Sequence, residues 1–114
     1  MRNIELGKIG EEKAINFLQK NGYKIIDRNF RTKFGEIDII AKKNRKIVFI
    51  EVKTRSSDNF GLPEEAVNKK KLRKIERVGL CYMNLKKINL PFTFEILSIR
   101  IDKNDFKFEI IPIF

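Results

Sequence analysis

Three charged residues interrupt two apolar runs: Asp38 within Ile37-Asp38-Ile39-Ile40, and Glu51 and Lys53 at the end of Ile47-Val48-Phe49-Ile50-Glu51-Val52-Lys53. A charge in such surroundings is costly unless it is paired or bound to a metal. The plain explanation is a salt bridge in which Lys53 neutralises one carboxylate. The chemical one is a divalent cation held by Asp38, Glu51 and the Val52 carbonyl, an all-oxygen set that suits Mg²⁺ or Mn²⁺. Such an ion lowers the pKa of a bound water and offsets charge on a phosphoryl oxygen. Lys53, two residues beyond Glu51 and on its face, would then hold the attacking hydroxide or stabilise a pentavalent transition state.

The rest of the composition narrows the chemistry. The chain has no His and one Cys, Cys81, which excludes a Ser-His-Asp triad, a Cys-His pair, a thiolate zinc cluster and an intrachain disulfide. Any catalysis rests on carboxylates, Lys, Arg or hydroxyls. Lys plus Arg number 25 against 15 Asp plus Glu, a net charge of +10 with a pI near 9.9, and a polyanion is the partner this implies. No run is long and apolar enough to span a bilayer, and Met1 to Gly10 lacks a signal-peptide core. A cytoplasmic protein that does not engage membranes is expected.

The elements that must position these residues follow from periodicity. At 114 residues the chain, residues 1–114, reads as one domain. Helical spacing predicts a first helix from about Glu5 to Asn21, ended by Gly22, with Gly7, Gly10, Glu11, Ala14, Phe17 and Leu18 on one face. A strand follows from Tyr23 to Phe30. Gly35 to Ala41 and Ile47 to Thr54 read as a hairpin whose turn is Lys42 to Lys46. Strict alternation groups Glu36, Asp38 and Ile40 on one face, and Phe49, Glu51 and Lys53 on one face of the next strand. Folding about Asn44 brings Asp38 opposite Ile50 or Glu51. Pro63 opens a second helix to about Leu85, with Val67, Leu72, Ile75, Val78, Gly79 and Tyr82 as its apolar stripe, and two strands near Phe92 to Ile101 and Phe106 to Ile113 complete the order αβββαββ.

Several polar residues have two readings. Glu11 on an apolar stripe is either tucked against a cation or aimed at the acid pair. Glu36 is either an acid supporting Asp38 or a solvated strand end, and Lys71, on the apolar side of the second helix, either reaches to the surface or points at a phosphate. The opposite face of that helix carries Lys69, Lys70, Arg73, Lys74 and Arg77, and the hairpin turn carries Lys42, Lys43, Arg45 and Lys46. With Arg31 and Arg55 these are candidate contacts to phosphates.

The motifs Gly7-x-x-Gly10-Glu11-x-x-Ala14, Arg28-Asn29-Phe30-Arg31, Gly35-Glu36-Ile37-Asp38-Ile39-Ile40-Ala41, Val48 to Arg55 and Gly61-x-Pro63-Glu64-Glu65-Ala66-Val67 resemble, in that order, the YraN family. These small uncharacterised bacterial proteins are similar to archaeal Holliday-junction resolvases and sit with the PD-(D/E)xK restriction-endonuclease-like superfamily. The resemblance implies an α/β fold with a mixed central sheet flanked by helices and an active site of Glu11, Asp38, Glu51 and Lys53, with Glu11, Asp38, Glu51 and Val52 around Mg²⁺ or Mn²⁺. Ile37 stands where the superfamily has its Pro, and Phe94-Glu95 where Phe-Asp is usual.

The expectation is a metal-dependent endonuclease acting on DNA, branched or junction DNA included. The alternative is a nucleic-acid-binding module that keeps the fold without hydrolysis, and a third reading is a structural partner whose acids form salt bridges. Phe106, Phe108, Ile110, Ile111, Ile113 and Phe114 crowd both faces of the last strand, which predicts an exposed apolar surface suited to a homodimer.

Overall fold

The centre of the molecule is organised by a turn at Asn44-Arg45, where both residues take positive φ, 51° and 63°, as favoured two-residue hairpin turns require. The computed structural model describes residues 3–56 and 69–113. It closes this hairpin more tightly than a turn from Lys42 to Lys46 would: Lys42 pairs with Ile47 and Lys43 with Lys46, so all three lysines lie in strands. Their backbone groups find ladder partners and need no loop.

The element order is α1 (Asn3–Lys20), β1 (Lys24–Thr32), β2 (Gly35–Lys43), β3 (Lys46–Ser56), α2 (Lys69–Leu85), β4 (Phe92–Asp102) and β5 (Asp105–Pro112). The strands form one mixed sheet in the order β1-β2-β3-β4-β5. Only β3 and β4 run parallel, and α2 lies between them in the chain, as a parallel connection requires. The αβββαββ architecture expected from periodicity is the observed one. The start of the second helix at Pro63, Val67 on its stripe and the Gly61 to Val67 motif fall outside the described residues.

Each helix covers one face of the sheet. Ala14 and Leu18 of α1 pack with Ile39, Ala41, Val48, Ile50, Leu97 and Ile99, while Ile75, Val78, Tyr82 and Met83 of α2 pack with Ile37, Ile40, Ile47, Phe49 and Phe94. α1 ends at Gly22, which takes φ 86° while the Tyr23 N–H donates to the Leu18 carbonyl at 3.0 Å, the αL cap that Gly provides. Gly10 is buried against Thr54, where a Cβ would collide, and Gly79 lies where a Cβ would meet the rings of Phe49 and Phe94 at 3.0 Å. These two glycines set the closeness of helix to sheet. Gly7, expected on the inward stripe, is exposed, and no described residue lies within 4 Å of where its Cβ would stand.

The last strand departs from expectation. Phe106, Phe108 and Ile110 are partly buried on the α1 face and Ile113 on the α2 face. None is among the exposed large hydrophobic residues, which are Leu80, Leu85 and Phe92 among the described residues. Helix α1 gives Phe106, Phe108 and Ile110 part of their cover, with Phe17 stacked on Phe108. Phe114 lies outside the described residues. Among the described residues no helix is long and apolar enough to cross a membrane.

Candidate functional site

The hairpin that is tightly paired near its turn comes apart at its other end. β2–β3 pairing runs from Lys43↔Lys46 to Ile39↔Ile50, after which β2 stays with β1 as far as Thr32↔Gly35 and β3 continues beside β4 to Ser56↔Ile101. Asp38 is the first residue past the split. Its Oδ2 accepts a hydrogen bond from the Val52 N–H at 2.8 Å, replacing a ladder carbonyl with a charged side chain.

Strict alternation fails at the same point. Ile37 lies on the α2 face together with Ile40, while Ile39 lies on the α1 face, so β2 turns over at Asp38 and the grouping of Glu36, Asp38 and Ile40 does not hold. Opposite Asp38, between the pairs Arg28↔Ile39 and Phe30↔Ile37, Asn29 takes φ 52°. Asn tolerates this left-handed conformation better than most residues.

Glu51 continues the alternation of β3 onto the α2 face. Its Oε1 takes Lys71 Nζ at 2.7 Å and Lys53 Nζ at 3.3 Å, while its Oε2 is buried with no hydrogen-bond partner. Lys71 thus reaches into the acid site and does not join the exposed basic face of its helix. Burial opposes its charge, but the hydrogen bond and attraction from Glu51 outweigh this and hold the ammonium above the usual lysine range. Asp38 titrates high, at about 6: burial raises it most, the Val52 N–H counteracts, and Glu51, Glu11 and Glu36 add repulsion.

Glu11 comes from α1 on the other face and is drawn to β1. Its Oε2 lies 3.8 Å from Arg28 Nη2, which also binds Glu12 Oε1 at 2.9 Å. With its amide oriented by its acceptors, Asn29 Nδ2 donates to Glu11 Oε1 at 3.1 Å and to Glu36 Oε1 at 3.2 Å. Glu36 also pairs with Arg31 Nε at 3.2 Å, so it is an ion-paired member of the cluster and not a merely solvated strand end. Asn29 and Arg28 were not singled out as site residues by sequence reasoning. The usable signal was a left-handed-tolerant Asn directly across the strand from Asp38.

Among the described residues no three Asp or Glu side chains converge closely enough to cage an ion by themselves. Asp38 and Glu51, with the Val52 carbonyl between strands, still fit a hard cation, because every donor is oxygen and one buried carboxylate oxygen lacks any partner. Glu95, on β4, accepts from the Tyr23 hydroxyl at 2.8 Å; burial, and after it this bond and the Glu95 charge, push the Tyr23 pKa well up.

The cations divide by position. Lys69, Lys70, Arg73, Lys74 and Arg77 are all exposed on α2, whose first turns bring Lys71 to Glu51, so this basic face starts at the acid site. Arg77 lies 5.5 Å over the ring of Phe34. Arg55 is half-buried on the split end of β3. Lys42 and Lys43 stand at the turn end of the hairpin, roughly 14–17 Å along the strand from Asp38 at about 3.4 Å per residue, and Lys43 lies 4.4 Å over the Tyr23 ring.

The family model described as an uncharacterised protein family, UPF0102, matches residues 10–113. A UPF0102 protein of Thermodesulfovibrio yellowstonii is 50% identical over 109 residues, covering 96% of this chain and 94% of the relative. One from Caldicellulosiruptor saccharolyticus is 48% identical over 100 residues, 87% of this chain and 85% of the relative. One from Syntrophomonas wolfei is 44% identical over 101 residues, with 88% of each chain covered.

Proposed function

This chain belongs to the uncharacterised protein family UPF0102, and from that premise we propose that it is a metal-dependent endonuclease hydrolysing phosphodiester bonds in DNA, branched DNA included. The observation that carries this reading is the Glu51 oxygen left buried without a partner, beside an Asp38 whose pKa is pushed up to about 6. Acids that repel one another and leave an oxygen unsatisfied suit a cation better than they suit the folded chain alone. The resemblance of the motifs to restriction-endonuclease-like proteins supports the same reading.

Asp38, Glu51 and the Val52 carbonyl would hold Mg²⁺ or Mn²⁺. Such an ion, when bound, makes water nucleophilic and offsets phosphoryl charge. Lys53, 3.3 Å from Glu51 Oε1, is placed to orient a water or stabilise charge on the phosphoryl oxygens, as a protonated amine that cannot itself be a ligand. Lys71 would leave Glu51 for a substrate phosphate. Glu11, held by Asn29, supplies a further acid on the α1 side. The exposed cations of α2 would hold the flanking phosphates, binding DNA through its charge and largely irrespective of sequence.

The two ammonium groups on Glu51 Oε1 favour one second reading, a DNA-binding module whose acids are only ion-paired. A single assay separates them: branched and linear DNA and RNA, with Mg²⁺, Mn²⁺ or EDTA, using wild type beside Asp38→Asn. Metal-dependent cleavage lost in the variant upholds the nuclease. Equal binding by both proteins with no cleavage under any condition leaves the module.

A further inference from the structure

α1 carries different chemistry on its two flanks. Glu11 is turned to β1 through Arg28 and Asn29. On the flank turned to β5, Lys13, Asn16, Phe17 and Lys20 recur at helical spacing and line, with Phe106 and Phe108, a cleft of about 210 Å³. Phe17 and Phe108 stack with centroids 4.4 Å apart and planes 9° apart, and Lys13 Nζ stands 4.8 Å from the centroid of Phe106. The three rings are partly buried, whereas Lys13, Asn16 and Lys20 are exposed.

The volume is below the roughly 300–1,000 Å³ of a pocket for a drug-sized ligand, which suits one flat ring system. An aromatic floor with ammonium groups at its rim is complementary to a nucleobase and the phosphates on either side of it. A base within a duplex is already stacked and cannot enter a concave site without leaving its partner. The cleft also lies level with the acid site. Phe108 is in one row with Ile99 and Thr54, two residues along β3 from Val52, and β5 stands two strand spacings from β3, roughly 10 Å at about 4.8 Å each; the cleft opens on the α1 face, whereas Glu51 meets Lys71 on the α2 face.

We propose that this cleft binds an unpaired nucleobase of the DNA substrate, stacked on Phe106 and Phe108 with its phosphates on Lys13 and Lys20. The inference rests on the nucleic-acid reading of the acid site for the identity of the polymer, and it deepens that reading: single-stranded character a few nucleotides from the scissile bond is what the protein selects.

The test uses oligodeoxynucleotides carrying 2-aminopurine, either in a single-stranded tail or inside a blunt duplex, bound in EDTA so that no cleavage intervenes. Wild type should bind the tailed probe about tenfold more tightly, within the weight of one base stacked on an aromatic side chain, and change its fluorescence. Phe106→Leu with Phe108→Leu keeps the apolar rim and should lose both effects; Lys13→Gln with Lys20→Gln, confined to the surface, should reduce the tail preference several-fold even if the leucine protein fails to fold. Equal affinity for both probes overturns the inference. So does a tail preference that survives the lysine changes, or a wild-type dimer that Phe108→Leu dissociates, which would make a second copy the occupant. Cleavage in Mg²⁺ without tail preference overturns this inference and leaves the nuclease standing; tail preference without cleavage upholds it and removes the nuclease.

Discussion

The two ends of the β2–β3 hairpin are built from the same pair of strands and do opposite things. Near the Asn44-Arg45 turn the strands are fully paired, and Ile39, Ile40, Ala41, Ile47, Val48, Phe49 and Ile50 are all 1% exposed or less. Past Ile39 and Ile50 the pairing stops, a carboxylate substitutes for a backbone carbonyl at Val52, and a carboxylate oxygen is buried unsatisfied. One end supplies stability, and the other spends some of it to hold charges that the chain alone does not balance. Sites of this kind persist because the packed part over-determines them.

Asp38→Asn tests the open end most severely. It removes charge but keeps an oxygen that can accept from the Val52 N–H, so DNA cleavage should fall by about 10³-fold or more, the scale of losing a principal electrostatic group, while the thermal midpoint in EDTA does not fall. A variant that unfolds at neutral pH would show that Asp38 belongs to the stabilising end after all. Ile40→Ala does the converse. Ile40 is 0% exposed, so denaturant titration should show a loss of about 3 kcal/mol, with cleavage per folded molecule unchanged under conditions where the variant stays folded.

A third test reads the cost of the open end directly. The ordinary carboxyl ionises near 3.8, whereas Asp38 in the folded protein does so at about 6, chiefly because it is buried. Between those values the folded chain keeps a proton that the unfolded chain has released, so this contribution to stability is complete below the lower value and lost as pH rises through the upper one. Its ceiling is about 3 kcal/mol. Denaturant unfolding of metal-free protein from pH 4 to 7 should therefore show a fall in wild type that Asp38→Asn lacks. Parallel curves for the two proteins would mean that neighbouring groups, not Asp38, carry the strain.

How much of this the sequence disclosed differs between the same two regions. Apolar periodicity revealed the strands, both helices and the Gly22 cap, because burial and helix termination are local signals. Register about Asn44 also brought Asp38 opposite Ile50 or Glu51, next to the Val52 whose N–H it accepts from in the structure. What alternation could not reveal was the reversal at Asp38 that puts Ile37 with Ile40, since a strand that turns over breaks the very period used to read it. Met83 was missed at the end of the α2 stripe, and Lys71, left open between surface and site, required the tertiary approach of α2 to Glu51. The cover over Phe106 and Phe108 depends on α1, far away in the chain, and so the last strand looked more exposed than it is.

The smallest expected effect isolates Asn29, which stands across from the reversal. Its backbone takes φ 52°, and its amide bridges Glu11 and Glu36. Asn29→Gly removes the bridge but adopts that φ without strain, whereas Asn29→Ala removes the bridge and adds a left-handed cost of about 1 kcal/mol. If the amide positions Glu11, both variants should lose cleavage to the same modest extent, on the order of tenfold, and their unfolding free energies should differ by the backbone cost alone. Since Glu11 without the bridge is free to follow Arg28, Arg28→Gln should partly restore activity in the glycine variant. An alanine variant that loses more activity than the glycine variant while folded would locate the effect in the strand's reversal, and would assign the open end's geometry to its backbone and not to its acids.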